Sequence, residues 1–449
     1  MVMPILCQTA FTVFRHIEPI IVLEQLASTL FDTALQVVVR DRCANATFPG
    51  RSKEDSQQKA MTDFFMTYNL IIRLVPILPS LLLARLSDRG WRKAPIVVPL
   101  SGYLLSRAAL LLVLSLSLPL EVMFGAAVVF GLSGGYCSYW SGVMTLASLS
   151  STASDRSKVL MRVELLYGAA GVVGSLASGH LFLLYSSTLG DGIILLIVSI
   201  VLYVLCLVLS TALLQVKQVS NKEPEDDGHL LSHASVDAPA ADAPAVDAPA
   251  GKNMVNIVLL FAAAMLYNFA VGGAVEILGV FVMKAPLSWN TTQVGYGNAA
   301  GCMIFLTSFF GVIVFRRCFS DVMLILIGMV SFASGIFFMS FVKTTAMFYL
   351  ARSLNLFALI PMPTIRSLLS QQVPASSYGT ILTSLQLGLK FAGLAYIPAF
   401  TKIYQGTLDW FPGFVFTLSS IFTVLGMIPI SIVGCRLPQR QQYVRIQGD

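Results

Sequence analysis

The sequence predicts an all-α polytopic membrane protein with 12 transmembrane helices in two six-helix bundles. Of its 449 residues, 56% are hydrophobic and 12% charged, against about 25% charged in an ordinary soluble domain. Twelve apolar stretches are each close to the ~20 residues that a helix needs to cross a bilayer. One acidic, Pro/Ala-rich stretch parts them six and six. This composition excludes a soluble enzyme. Apolar runs of this length also exclude an outer-membrane barrel, whose strands alternate in segments of about ten residues.

The segments run through 18–39, 63–84, 94–117, 121–147, 160–185 and 192–216 in the first half. In the second half they run through 255–282, 294–315, 321–342, 345–369, 378–401 and 411–434. With residues 1–17 placed in the cytoplasm, 16 basic residues fall on the cytoplasmic side and eight outside, as the positive-inside rule asks. Residues 1–17 hold Arg15 and His16 but no apolar region closed by a small-residue cleavage site, so the first helix is expected to direct insertion itself. The same orientation puts two N-x-S/T sequons, at Asn45 and Asn290, in outside loops, where glycosylation is possible.

It puts residues 217–253 inside. That linker repeats Asp-Ala-Pro at Asp237, Asp242 and Asp247 and has seven acids against three bases, so it cannot bury enough apolar area to fold. It is an acidic tether to which cytoplasmic partners could bind. The bundles are then 18–216 and 254–435, followed by a cytoplasmic tail at 436–449.

Cys7, Cys43, Cys137, Cys206, Cys302, Cys318 and Cys435 are scattered without CxxC or Cys/His spacing, so no metal site is expected. Gly131-Leu-Ser133-Gly-Gly135 fits G-x-S-x-G, but a nucleophile elbow needs a preceding strand, and this stretch lies in an apolar segment. No Walker A, dinucleotide-binding or zinc-protease motif occurs. An enzyme, a cofactor and a nucleic-acid partner are therefore not expected. Gly134, Ser138 and Gly142, then Gly171, Ser175 and Gly179, recur every four residues, which puts small side chains on one helix face where backbones can approach.

Six plus six helices with a long cytoplasmic middle loop is the layout of a secondary transporter that rocks about a central site. Between the second and third segments, residues Ala84 to Lys93 (ARLSDRGWRK) resemble the major facilitator superfamily loop pattern G-x-L-x-D-R-x-G-R-R/K. Ala84 stands for its first Gly and Trp91 for its second. In this loop Asp88, Arg89 and Arg92 are expected to gate the cytoplasmic side, a carboxylate ringed by cations latching one state near helix ends. The alternative is an ordinary basic inside loop.

The chemistry should rest on ionisable residues at membrane depth, each of which costs several kcal/mol unless it is paired or lines a water-filled cavity. They are Arg73, Arg107, Arg352, Arg366 and Lys390, with Glu24, Asp32, Glu164 and Glu276. More cations than anions suits an anionic substrate. Arg366, Arg107, Arg73 and Asp32 are the substrate-binding candidates; Glu276, Glu164 and Asp32 are the proton-coupling candidates. Arg352 and Glu164 have the alternative of snorkelling from helix ends, and Arg107 that of simply pairing with a carboxylate.

Several stretches resemble solute carrier family 46. They are Glu18-Pro19, Glu164 with Gly179-His180, Pro286-Leu-Ser-Trp289 with Val294-Gly-Tyr-Gly297, Leu306-Thr-Ser308, and Ile365-Arg366-Ser367. The resemblance spans nearly the whole chain except the linker and tails. It implies a proton-coupled importer of organic anions such as folates, and in other members muropeptides and cyclic dinucleotides. It implies a coupling role for Glu164, a functional Arg at Arg366 and an acidic seventh-helix position at Glu276. Val271 stands where the family's folate transporter has a His, and Ser288 where it has an outer-loop disulfide Cys, which leaves Cys43 without that partner. A bulkier anion than folate is favoured on these grounds.

The expected function is a secondary active transporter that imports organic anions, muropeptide, cyclic dinucleotide or folate-like, by proton-coupled symport with alternating access. Its setting is the lipid bilayer of the plasma membrane or of endosomes or lysosomes, with protons as the coupling ion. The alternatives are a proton-independent uniporter or exchanger and a non-transporting receptor or scaffold. A scaffold has no reason to bear the desolvation cost of the intramembrane charges.

Overall fold

A computed structural model describes residues 17–88, 91–149, 156–189, 192–213, 254–315, 318–372 and 378–436. Among them every regular element is helical. The first half contains α1 (Glu18–Arg42), α2 (Lys53–Leu74), α3 (Ile77–Asp88), α4 (Ala94–Ser115), α5 (Val122–Leu132), α6 (Gly135–Leu149), α7 (Arg156–Leu189) and α8 (Ile193–Val208), the last closing in a π-helical turn (Leu209–Leu213). The second half contains α9 (Met254–Met283), α10 (Thr291–Phe315), α11 (Asp321–Met339), α12 (Thr345–Leu354), α13 (Pro361–Ser370), α14 (Tyr378–Thr407) and α15 (Phe414–Arg436).

Helix starts follow from local chemistry. Ser52 caps α2 by accepting from the Asp55 N–H at 3.1 Å, and Glu54 and Asp55 place negative charge in its first turn. Asn290 caps α10, its Oδ1 accepting from the Gln293 N–H at 2.9 Å while Gln293 returns the bond to the Asn290 N–H at 3.0 Å. Pro19 opens α1 at a position where no N–H is needed.

Among the described residues, ten spans are long and apolar enough to cross a membrane. The second, fourth and tenth apolar segments are each divided by a break. Pro76, which has no N–H to donate, parts α2 from α3. Gly134 and Gly135, at φ +95° and +55°, part α5 from α6, a left-handed path that only glycine takes without strain. The turn from Asn355 to Ile360 parts α12 from α13.

The glycines act as contact points. A Cβ on Gly131 would lie 2.6 Å from the Val75 side chain, and one on Gly135 2.9 Å from Pro76. A Cβ on Gly171 would lie 2.8 Å from Cys302 Sγ, and one on Gly179 3.0 Å from the Thr292 backbone.

Within the first half α1 packs on α7 and α8, and α4 on α5, α6 and α8; within the second, α9 packs on α14 and α15, and α11 on α12 and α15. The halves meet chiefly along two seams, α7 against α10 and α2 against α14.

Candidate functional site

Both seams are tied at the same end, where α2 and α10 begin and α7 and α14 finish. On the α2/α14 seam, Lys402 pairs with Asp63 at 2.9 Å, and Gln405 donates to Asp63 at 2.8 Å and to Thr62 at 2.7 Å. The loop before α2 adds Arg51, which donates to the Gln405 carbonyl at 3.1 Å. Lys284, just after α9, pairs with Asp55 and donates to the Leu408 carbonyl at 3.2 Å. On the α7/α10 seam, Thr292 donates to the Gly179 carbonyl at 3.1 Å, and the Tyr296 hydroxyl meets His180 Nε2 at 3.0 Å. The two halves are thus closed against each other at this end.

Below this zipper the seam carries charge. Arg73 of α2 pairs with Glu276 of α9 and donates to the Tyr396 hydroxyl of α14 at 2.5 Å, while Asn69 donates to the other Glu276 oxygen at 2.5 Å. Two predicted residues are brought together here, and Asn69 and Tyr396 join them. The Arg73 side chain is 41% exposed and that of Glu276 10%, so the pair is open on the arginine side.

A second carboxyl and arginine lie on opposite halves. Glu164 of α7 and Arg366 of α13 lie in each other's electrostatic field; Glu164 is exposed and Arg366 half-buried. One turn beyond Glu164, Tyr167 belongs to an aromatic wall. Trp140 meets Tyr167 edge-on at 5.0 Å, Tyr136 stacks on Trp140 at 5.9 Å, and Phe305 of α10 flanks Tyr167 at 6.3 Å. Beside Tyr136, Cys137 receives a contact from Lys390 of α14 at 2.6 Å. The break between α5 and α6 sets Tyr136 and Cys137 at the start of α6, and the break before α13 sets off the short helix that carries Arg366.

A third group lies inside the first half. The Arg107 guanidinium is 3.9 Å from the Phe31 ring centroid, 4.6 Å from Tyr103 and 4.9 Å from Tyr203. Arg107 is 3% exposed, so in this arrangement it faces rings and not the space between the halves. Glu24 is 1% exposed, whereas Asp32, two turns further along α1, is exposed.

Of the gating candidates, Arg89 and the Asp88 side chain lie outside the described residues, and Arg92 is half-buried just before α4. Asn45 and Asn290 are both exposed. Cys43 is free and buried, and burial pushes its thiol up to about 11, so it is an inert thiol.

Sequence reasoning missed Asn69, Tyr396 and the aromatic wall. The signal for two of these was present: Asn69 with Arg73, and Tyr136 with Trp140, are four residues apart and so share a helix face.

Two all-helical halves that meet along two seams fit a membrane transporter of the major facilitator type. Residues 71–397 match the Major Facilitator Superfamily. Solute carrier family 46 member 2 of Canis lupus familiaris is 40% identical, over 95% of this chain and 94% of its own. The lysosomal proton-coupled steroid conjugate and bile acid symporter SLC46A3 of Homo sapiens is 26% identical, over 87% of this chain and 84% of its own. The chain belongs to solute carrier family 46. Among solved structures, the POT family transporter PepTSo aligns with a TM-score of 0.61 at 12% identity, covering 93% of this chain and 97% of that one. The human organic anion transporter MFSD10 aligns with a TM-score of 0.59 at 14% identity, covering 94% and 98%. These two are likenesses of fold.

Proposed function

We propose that this membrane transporter imports organic anions together with protons. The observation that carries the reading is the ion pair of Arg73 and Glu276 across the halves, and it is supported by Glu164 and Arg366, which lie on opposite halves within reach of each other's charge. A proton on Glu164 removes the charge that holds Arg366, and the freed guanidinium then takes a carboxylate or phosphate of the substrate in a bidentate grip. Anion and proton therefore load together. A proton on Glu276 likewise weakens the Arg73 link beside the zipper and favours opening at that end.

Each proton moving down one pH unit supplies about 1.4 kcal/mol, and its charge offsets part of the cost of moving an anion against an inside-negative potential, about 2.3 kcal/mol per charge per 100 mV. Asp32, exposed on α1, is a further coupling site. Asp88, Arg89 and Arg92 remain the proposed cytoplasmic latch.

The wall of Tyr136, Trp140 and Tyr167 offers ring faces to a bulky solute. A muropeptide or a cyclic dinucleotide is favoured over folate, and the symporter relative's steroid conjugates and bile acids share the pattern of a bulky body with an anionic group. The test is uptake of labelled muropeptide, cyclic dinucleotide, folate and steroid sulfate into expressing cells at acidic and neutral pH. Acid-stimulated uptake of at least one is expected; uptake of an anion with no pH dependence would leave a uniporter or exchanger in its place.

A further inference from the structure

Along α14 three side chains reach the first half at intervals of six residues. Lys402 meets the Asp63 carboxylate, Tyr396 accepts from the Arg73 guanidinium, and Lys390 donates to Cys137 Sγ of α6. The first two contacts match donor to acceptor well. The third sets a cation on a thiol, a weak acceptor, and among the described residues Lys390 has no ion pair and no other hydrogen bond.

Lys390 cannot snorkel out of this position. It stands 12 residues into α14 and 17 from its end, about 18 Å and 26 Å of helix, too far for its side chain to reach water at either end. A cation so placed is costly unless it is paired or lines a water-filled cavity. Lys390 and Cys137 are both half-buried, so the contact is open to a solute that enters between the halves. Tyr136, the neighbour of Cys137, is 42% exposed and backed by Trp140. On the other side Gly393, one turn along from Lys390, abuts Arg73, to which a Cβ there would come within 3.4 Å. Arg73 has Glu276 as its counter-charge, and Lys390 has only the thiol.

We infer that the contact of Lys390 with Cys137 is an anion-binding site, distinct from Arg366. A carboxylate, sulfate or phosphate displaces the thiol from the ammonium, beside the exposed ring of Tyr136. Because the contact joins the halves, exchanging thiol for anion also frees α6 from α14. The use of this site in transport rests on the anion-import reading above; the binding of an anion at Lys390 does not.

The test applies two thiol reagents of opposite charge, the sulfonate and the trimethylammonium forms of ethyl methanethiosulfonate, to the purified protein in lipid at constant neutral pH. Labelling is read by mass spectrometry on the peptide that holds Cys137, and each rate is divided by that with free mercaptoethanol. The ratio of the two rates cancels the reactivity of the thiol itself and reports which charge is drawn to it. In the wild type the sulfonate should react faster. The ratio should fall about tenfold in Lys390→Gln, since a unit charge at contact distance attracts one reagent and repels the other, while Lys390→Arg keeps it. Lys390→Met stands in if Lys390→Gln folds poorly. A wild-type ratio of one or less, or a ratio that loss of the Lys390 charge leaves unchanged, overturns the site. In uptake, Lys390→Gln should raise the KM of the transported anion about tenfold, and Lys390→Arg should recover most of the loss. Wild-type KM alongside the expected reagent ratio leaves the anion site standing and removes it from transport.

Discussion

Arg107 and Arg73 are both guanidiniums at membrane depth in the first half, and they are held in opposite ways. Arg107 is enclosed by rings of its own half, where cation–π contact with Phe31, Tyr103 and Tyr203 replaces water. Arg73 stays partly exposed and reaches Glu276 and Tyr396 of the other half. When two halves rock as bodies, contacts inside one half persist and contacts across the seam are exchanged. The first arginine is therefore part of what moves, and the second is part of what the motion breaks.

Removing the enclosed charge should have the largest effect on the molecule itself. Arg107→Leu removes the cation that Phe31, Tyr103 and Tyr203 enclose and should cost about 2 kcal/mol or more, seen as a lower thermal midpoint and little protein at the surface. Normal stability in this variant would erase the contrast with Arg73. Breaking the crossing pair should act on transport instead. Glu276→Gln should reach the surface and still exchange substrate, while acid-stimulated net uptake falls about tenfold, the equivalent of one proton moving through one pH unit.

In the second half, Arg366→Lys should raise KM about threefold to tenfold through the loss of a bidentate hydrogen bond. Arg366→Gln should raise it further. Unaltered affinity with poor expression would make Arg366 a structural residue like Arg107. The smallest effects belong to the outer loops: Asn45→Gln and Asn290→Gln should each remove a glycan and shift gel mobility. Only Asn290→Gln should also cost about 1 kcal/mol, because it deletes the cap of α10.

The fold was legible because the bilayer imposes a plain code of long apolar runs. The breaks at Pro76, Gly134 and Asn355–Ile360 were not legible, since membrane helices often carry Gly and Pro without breaking and only the neighbouring backbone decides. Listing the intramembrane charges found Glu276, Arg73, Glu164 and Arg366. The pairing of Arg73 with Glu276 was hidden because they are 203 residues apart, beyond the reach of any local period. Arg107 was grouped with the substrate candidates because a sequence shows charge and depth but not the three rings that enclose it.

The glycine and proline breaks have a mechanical consequence. Gly131 and Gly135 lie directly against Val75 and Pro76, so the bend between α2 and α3 and the bend between α5 and α6 are stacked like two knuckles, with no room for one to flex past the other. In the second half the bend before α13 is seated in the same manner, with Gly328 and Gly335 of α11 against Pro361 and Asn355. Each half thus has a jointed section, α3 and α6 in the first and α13 in the second, at the end away from the ion pairs of Lys402 and Lys284. Closure of that end then needs only the short helices to fold inward, with α3 and α6 travelling together. Spin labels on α3, α6 and α13 should report larger distance changes between states than labels at the start of α2 and the end of α14 would in a rigid rocking motion; equal changes throughout would mean that the joints stay locked.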